Sequence, residues 1–136
     1  MVDSKLTRGA VNKLLGQIPN DLDSATIGMG LSIQDPEALK LLVKSLLARD
    51  VRLSLDATAL VNYILPLLSG KNVVVTPHVG EFKKMFGEIP PESKKARITM
   101  VEKSAKEHSV TILLKGPTDI ISNGARTYLN QQILLE

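Results

Sequence analysis

Two hydrophobic periods alternate along this chain, and the switches between them mark out its elements. Leu39, Leu42, Val43 and Leu46 recur at three- and four-residue intervals, the signature of one helical face. Pro36 suits the first turn of that helix, Asp35 suits its cap, and the pattern runs to about Ala48. The same spacing predicts a helix over Leu6–Leu15 with Leu6, Val11, Leu14 and Leu15 on its apolar face. It predicts another after Ser93, carried by Ile98, Val101 and Ala105. Short apolar or β-branched runs predict strands at Ser24–Ile27, Val51–Leu55, Val73–Val75 and Val110–Leu114. Ala57–Leu65 reads as a helix ended by Pro66, and Glu81–Phe86 as one closed by Gly87 and Pro90-Pro91. Thr118–Ser122 and Arg126–Asn130 flank Asn123-Gly124-Ala125, which predicts a closing hairpin.

Strands alternating with helices specify an α/β fold with a mainly parallel sheet flanked by helices, closed by a terminal antiparallel hairpin. In such a sheet the parallel strands end at one edge, where ligands bind. Four predicted strands here stop at special residues: Gly28-Met29-Gly30, Asp56, Thr76-Pro77-His78-Val79-Gly80-Glu81, and Lys115-Gly116-Pro117. Each admits two readings. Gly28 and Gly30 either shape a turn or let backbone approach an anion. Asp56 either caps the next helix or faces a ligand. His78 is a hydrogen-bonded loop residue or a group that moves protons near neutral pH. Glu81 complements a helix dipole or joins the site. Lys115-Gly116 is an ordinary turn or a point charge for phosphate. The residue types together suit an anionic, nucleotide-like ligand; His108 is expected to face solvent.

Composition narrows the field. With 136 residues, 43% hydrophobic and 23% charged, the chain is expected to be one domain with an ordinary core. Aromatics make up 3% with no Trp, so that core is aliphatic. The absence of Cys excludes disulfides, zinc thiolates and a thiol nucleophile. The net charge of +3 raises nucleic-acid binding. However, Lys83, Lys84, Lys94, Lys95 and Arg97 alternate with Glu81, Glu88, Glu92, Glu102 and Glu107, as on a solvated helix surface. Stacking aromatics are scarce and no nucleic-acid motif occurs, so no nucleic-acid partner is expected. No apolar run reaches a membrane span and the N-terminus lacks a signal-peptide core; the expectation is a cytoplasmic protein with no membrane partner.

GMGLS at 28–32, LDATAL at 55–60, TPHVGEF at 76–82 and LLKGPTDIISNG at 113–124 occur in a familiar order. Over roughly Ser24 to Asn130 they resemble the ATP- or ADP-dependent NAD(P)H-hydrate dehydratases, a branch of the ribokinase-like, carbohydrate-kinase-like superfamily. TPHxGEF followed by LKGPTDII is the specific part. The resemblance implies a lyase of metabolite repair, in which a nucleotide phosphate activates the hydroxyl of NADHX or NADPHX for elimination. It implies that Gly30 and His78 contact substrate, and that Lys115, Gly116, Pro117, Thr118 and Asp119 line the nucleotide side. Gly28, Asp56, Gly80 and Glu81 would support them. ATP or ADP with Mg²⁺ is the implied cofactor; no metal-binding side chain is assigned.

Two departures stand out. LDATAL carries Thr58 where the family has a second acidic residue, and Val79 replaces a proline. The family's GGTGD-type segment, which holds the expected catalytic aspartate and an anion hole, has no counterpart among these 136 residues. The catalytic residue is therefore unassigned. The expectation is a single truncated ribokinase-like domain over 1–136, weak or inactive in isolation. The alternatives are a non-catalytic nucleotide-binding or self-assembling module, or a truncated remnant. A parallel sheet needs cover on both faces, so missing flanking helices lead to an expected homo-oligomer.

Overall fold

A computed structural model describes residues 5–28, 30–33 and 35–131. Along the chain run β1 (Lys5–Leu6), α1 (Arg8–Gln17), β2 (Ser24–Ile27), β3 (Ser32–Ile33), α2 (Pro36–Ala48) and β4 (Arg52–Leu55). Two 3₁₀ turns (Ala57–Ala59 and Asn62–Ile64) lead into α3 (Leu65–Leu68). Then come β5 (Val73–Val75), α4 (Val79–Phe86), α5 (Lys94–His108), β6 (Thr111–Leu114), β7 (Thr118–Ser122) and β8 (Thr127–Gln131). The main sheet has six strands in the order β2-β4-β5-β6-β7-β8. Its first four strands are parallel and the last two form an antiparallel hairpin.

Register explains the core. Ile27, Leu55, Val75, Ile112 and Ser122 sit side by side across five strands and are all buried. Against this face lies a layer in which α2 packs on β4, α5 on β6 and β7, and α3 touches both helices. The α2 residues Leu39, Leu42, Val43 and Leu46 are buried, as their spacing predicts. The opposite face carries Ser54, Val74 and Leu113, only half-buried.

Several sequence expectations need correction. Leu6 belongs to β1, paired in parallel with β3, and Thr7 caps a helix that starts only at Arg8. Leu14 is 42% exposed and lies off the apolar face. Ala57–Leu65 is not one helix. Ala57 has φ +48° and Val61 is extended, so two short 3₁₀ turns replace it. Pro66 then lies in the first turn of α3 instead of ending a helix, a position where its missing N–H costs nothing. Helix α4 begins at Val79, two residues early, because His78 caps it. Arg126 belongs to the turn before β8, which runs Thr127–Gln131. His108 is half-buried, its ring 5.4 Å from that of Phe86.

Candidate functional site

The four parallel strands end at one edge, and the backbone ladder continues past them. Asp56 N–H donates to the Ile27 carbonyl at 2.9 Å, Thr76 N–H to Leu55 at 3.0 Å, and Lys115 N–H to Pro77 at 2.8 Å. The predicted strand ends are thus laced together, except Met29, which lies outside the described residues.

Gly28 makes this convergence possible. Its φ is +137°, and a Cβ there would fall 1.6 Å from the Asp56 carbonyl oxygen. No side chain fits that gap. Gly30, at φ +76°, has open space around its missing Cβ. The two glycines of one motif therefore serve different ends, close approach in the first and left-handed backbone in the second. Thr58 ties the loop down: its hydroxyl donates to the Gly28 carbonyl at 2.7 Å. An ionised carboxylate accepts only, so threonine supplies here a bond that the acidic residue of the resembling motif could not.

Asp56 caps the turn that follows it and also engages the fourth strand end. Its Oδ1 accepts from Ala57 N–H at 2.8 Å as a cap, and from Lys115 Nζ at 3.2 Å across 59 residues of sequence. Burial pushes the Asp56 carboxyl up. Hydrogen bonds from Ala57 N–H, Lys115 and Thr76, with the Lys115 charge, outweigh burial and leave its pKa below the usual 3.8.

His78 and Glu81 close a reciprocal capping box. Glu81 N–H donates to His78 Nδ1 at 3.2 Å, and His78 N–H donates to Glu81 Oε1 at 3.1 Å. With Nδ1 accepting, the neutral ring keeps its proton on Nε2. The imidazole is 61% exposed; Nδ1 holds the helix start, and Nε2 lies 3.6 Å from the same Glu81 Oε1 that accepts from the His78 backbone. Gly80 leaves the ring its room, since a Cβ there would lie 3.1 Å from His78 Cε1.

At the last strand end, Gly116 N–H donates to Asp119 Oδ1 at 3.1 Å, which folds the Lys115–Asp119 turn on itself. That N–H and one oxygen of Asp119 are therefore spent internally. The sequence reading missed Arg97, which it placed on a solvated surface. Arg97 is half-buried, its Nε donates to the Pro91 carbonyl, and its Nη1 would lie 3.3 Å from a Cβ on Gly116. The available signal was position: Arg97 is the fourth residue of a helix capped by Ser93. That position folds back toward residues preceding the cap.

A sheet edge that gathers four strand ends behind one helical layer, with a closing hairpin, is the ribokinase-like architecture. A ribokinase-like superfamily protein from Enterococcus faecalis superposes with a TM-score of 0.61 at 22% identity, over 88% of this chain and 43% of that one. The sequence model described as NAD(P)H-hydrate dehydratase matches residues 3–132, and the chain belongs to that family. An ADP-dependent (S)-NAD(P)H-hydrate dehydratase from Nitrosopumilus maritimus (strain SCM1) is 67% identical over 132 residues, 97% of this chain and 46% of the relative. The structure of the ADP/ATP-dependent NAD(P)H-hydrate dehydratase from Bacillus subtilis, co-crystallised with ATP/Mg²⁺, matches at 29% identity and a TM-score of 0.65. That match covers 82% of this chain and 42% of the other. The chain thus spans less than half the length of these relatives. No helix among the described residues is long and apolar enough to cross a membrane.

Proposed function

We propose that this chain is a single ribokinase-like domain supplying the substrate-loop and nucleotide-turn side of an ADP- or ATP-dependent NAD(P)H-hydrate dehydratase in the cytoplasm. The observation that carries the reading is the Asp56–Lys115 contact, which joins the second and fourth strand ends at the sheet edge where the segments of Gly28, Gly30 and His78 also end. In this reading Gly30 and the exposed imidazole of His78 meet the hydrated nicotinamide. Lys115, Gly116, Pro117, Thr118 and Asp119 meet the nucleotide. Gly28, Asp56, Gly80 and Glu81 hold those groups in place.

Each residue has a definite task. The exposed His78 ring, with Nε2 3.6 Å from Glu81 Oε1 and not hydrogen-bonded to it, donates from Nε2 to a substrate oxygen. Asp56, kept ionised by its hydrogen bonds, holds the Lys115 ammonium at the strand-end edge. Asp56 and Asp119 each already accept a hydrogen bond on Oδ1. This arrangement suits a Mg²⁺ that arrives with the nucleotide and is bound mainly by phosphate oxygens and water. When bound, the nucleotide supplies the phosphoryl group that converts the hydrate's hydroxyl into a leaving group. The resemblance assigns the base to a GGTGD-type segment that the 136 residues do not contain. Weak or absent turnover by this chain alone is therefore part of the proposal, because donors around transferring charge contribute orders of magnitude in rate. Exposed Tyr128 and Leu129 on β8, the last strand in the sheet order, support self-association.

The test is calorimetric titration of the folded 136-residue chain with ADP and ATP in the presence of Mg²⁺, paired with an assay of NADHX conversion to NADH. Saturable nucleotide binding that Lys115→Gln weakens supports the reading. A folded chain that binds neither nucleotide nor NADHX overturns it.

A further inference from the structure

Lys115 is the cation that the sequence offers to a nucleotide's phosphates, yet it is already engaged by Asp56 at 3.2 Å. A second cation lies beside the same turn. Arg97 uses Nε on the Pro91 carbonyl, and neither of its Nη groups hydrogen-bonds to any described residue. One edge of the guanidinium is thereby fixed and the other left with unspent donors. The side chain is half-buried, and Nη1 lies against Gly116, which has no side chain to intervene. Arg97 also lines a cavity of about 170 Å³ with Glu92, Lys94, Pro117, Thr118 and Ile120.

We infer that Arg97 is a phosphate-binding residue of the nucleotide subsite, offering its free Nη edge to the nucleotide's phosphates beside the Gly116 turn. The inference rests on the nucleotide reading of the Lys115–Asp119 turn and adds to it a residue from α5. Three features favour it. A guanidinium is planar and always charged, and its paired donors match two phosphate oxygens at once, unlike an ammonium. Anchoring through Nε removes much of the rotamer freedom that binding would otherwise have to freeze. Cavity size agrees too: complete small-molecule sites span about 300–1,000 Å³, so this smaller lobe suits the charged end of a ligand. Among its lining residues Lys94 adds a second positive charge, against the single carboxylate of Glu92. Because the Pro91 carbonyl holds Arg97 through Nε, the charge is preorganised.

The experiment is calorimetric titration of the full chain and its Arg97→Gln, Arg97→Lys and Lys115→Gln variants with ADP, adenosine and inorganic pyrophosphate. Arg97→Gln is expected to weaken ADP and pyrophosphate by about tenfold or more, the usual effect of losing a charge-assisted hydrogen bond. Adenosine, which has no phosphate, should bind as it does to wild type. Arg97→Lys, which keeps the charge without the fork, should fall between. Equal weakening of ADP and adenosine would show that Arg97 only holds the loop, and would overturn the inference. So would unchanged ADP affinity in Arg97→Gln while Lys115→Gln loses it, and that result would leave the nucleotide reading standing. Failure of wild type to bind ADP would remove both.

Discussion

Replacing Gly28 by alanine tests whether the strand ends converge as tightly as the geometry demands. A Cβ at 1.6 Å from the Asp56 carbonyl oxygen must move to more than 3 Å, which forces β2 and β4 apart at their ends. That separation breaks the Asp56 N–H bond to Ile27 and the Thr58 hydroxyl bond to Gly28. Each is worth about 1 kcal/mol. Holding alanine at φ +137° costs about a further 1–2 kcal/mol, and residual crowding adds about 1 kcal/mol. The sum is about 4 kcal/mol, a large share of the roughly 5–15 kcal/mol that stabilises a typical domain. Gly30→Ala is the matched control, because its Cβ meets nothing within 4 Å and only the positive φ is penalised. That penalty is about 1 kcal/mol. At about 4 °C per kcal/mol for a chain of this size, thermal unfolding should show Gly28→Ala lower by about 16 °C and Gly30→Ala by about 4 °C. Midpoints within a few degrees of each other would refute the close approach of β2 to Asp56.

Other outcomes follow from the same edge of the sheet. Asp56→Asn should lower stability at neutral pH. The native Asp56 pKa lies below its unfolded value, so its contribution is full above about pH 4 and fades as pH falls through the native value. Urea titrations of both proteins should accordingly converge at acid pH, and a gap that widens instead would contradict the ion pair. Thr58→Ala should cost about 1 kcal/mol for its lost hydrogen bond. Thr58→Asp should cost at least as much at neutral pH, since an ionised carboxylate cannot donate to Gly28; a more stable Thr58→Asp protein would show that the 2.7 Å bond contributes nothing. His78→Ala should lose about 1 kcal/mol as a cap, and His78→Asn should recover most of it. Under the proposed function neither variant should bind NADHX as wild type does, so NADHX titration of the stable His78→Asn protein separates the cap from the ligand contact.

Where local chemistry decides structure, the sequence was sufficient. Asp35 followed by Pro36 fixes the start of α2, and the Asp35 carboxylate accepts from Glu37 N–H at 3.1 Å as a cap should. Val73–Val75 and Ser24–Ile27 emerge with the boundaries their composition predicts. Elements made by tertiary contact were illegible. The two-residue strands β1 and β3 are too short to carry a period, and Leu6 looked instead like the start of a helical stripe. Ala57–Leu65 has helical composition, but Asp56 is drawn to Lys115 and the chain leaves it in short turns. For the site, residue types at the strand ends were readable because a parallel sheet gathers them. Their division of labour was not. Gly28 and Gly30 look alike in sequence and differ only in what lies opposite them. Arg97 hides in a run of alternating charge and gains meaning only from the Pro91 carbonyl six residues earlier.

The strand order has a consequence for how the protein is made. Because β2, β4, β5 and β6 lie in the sheet in the order in which they leave the ribosome, each new strand finds its neighbour already synthesised. The sheet can therefore grow vectorially during translation, where domains form from the N-terminal side first. The contact across the strand ends follows another timetable. Asp56 emerges early, and its Lys115 partner comes 59 residues later. The bonds from Asp56 to Ile27 and from Thr76 to Leu55 can form as each strand is added, whereas the ion pair closes the edge only near the end of this stretch of chain.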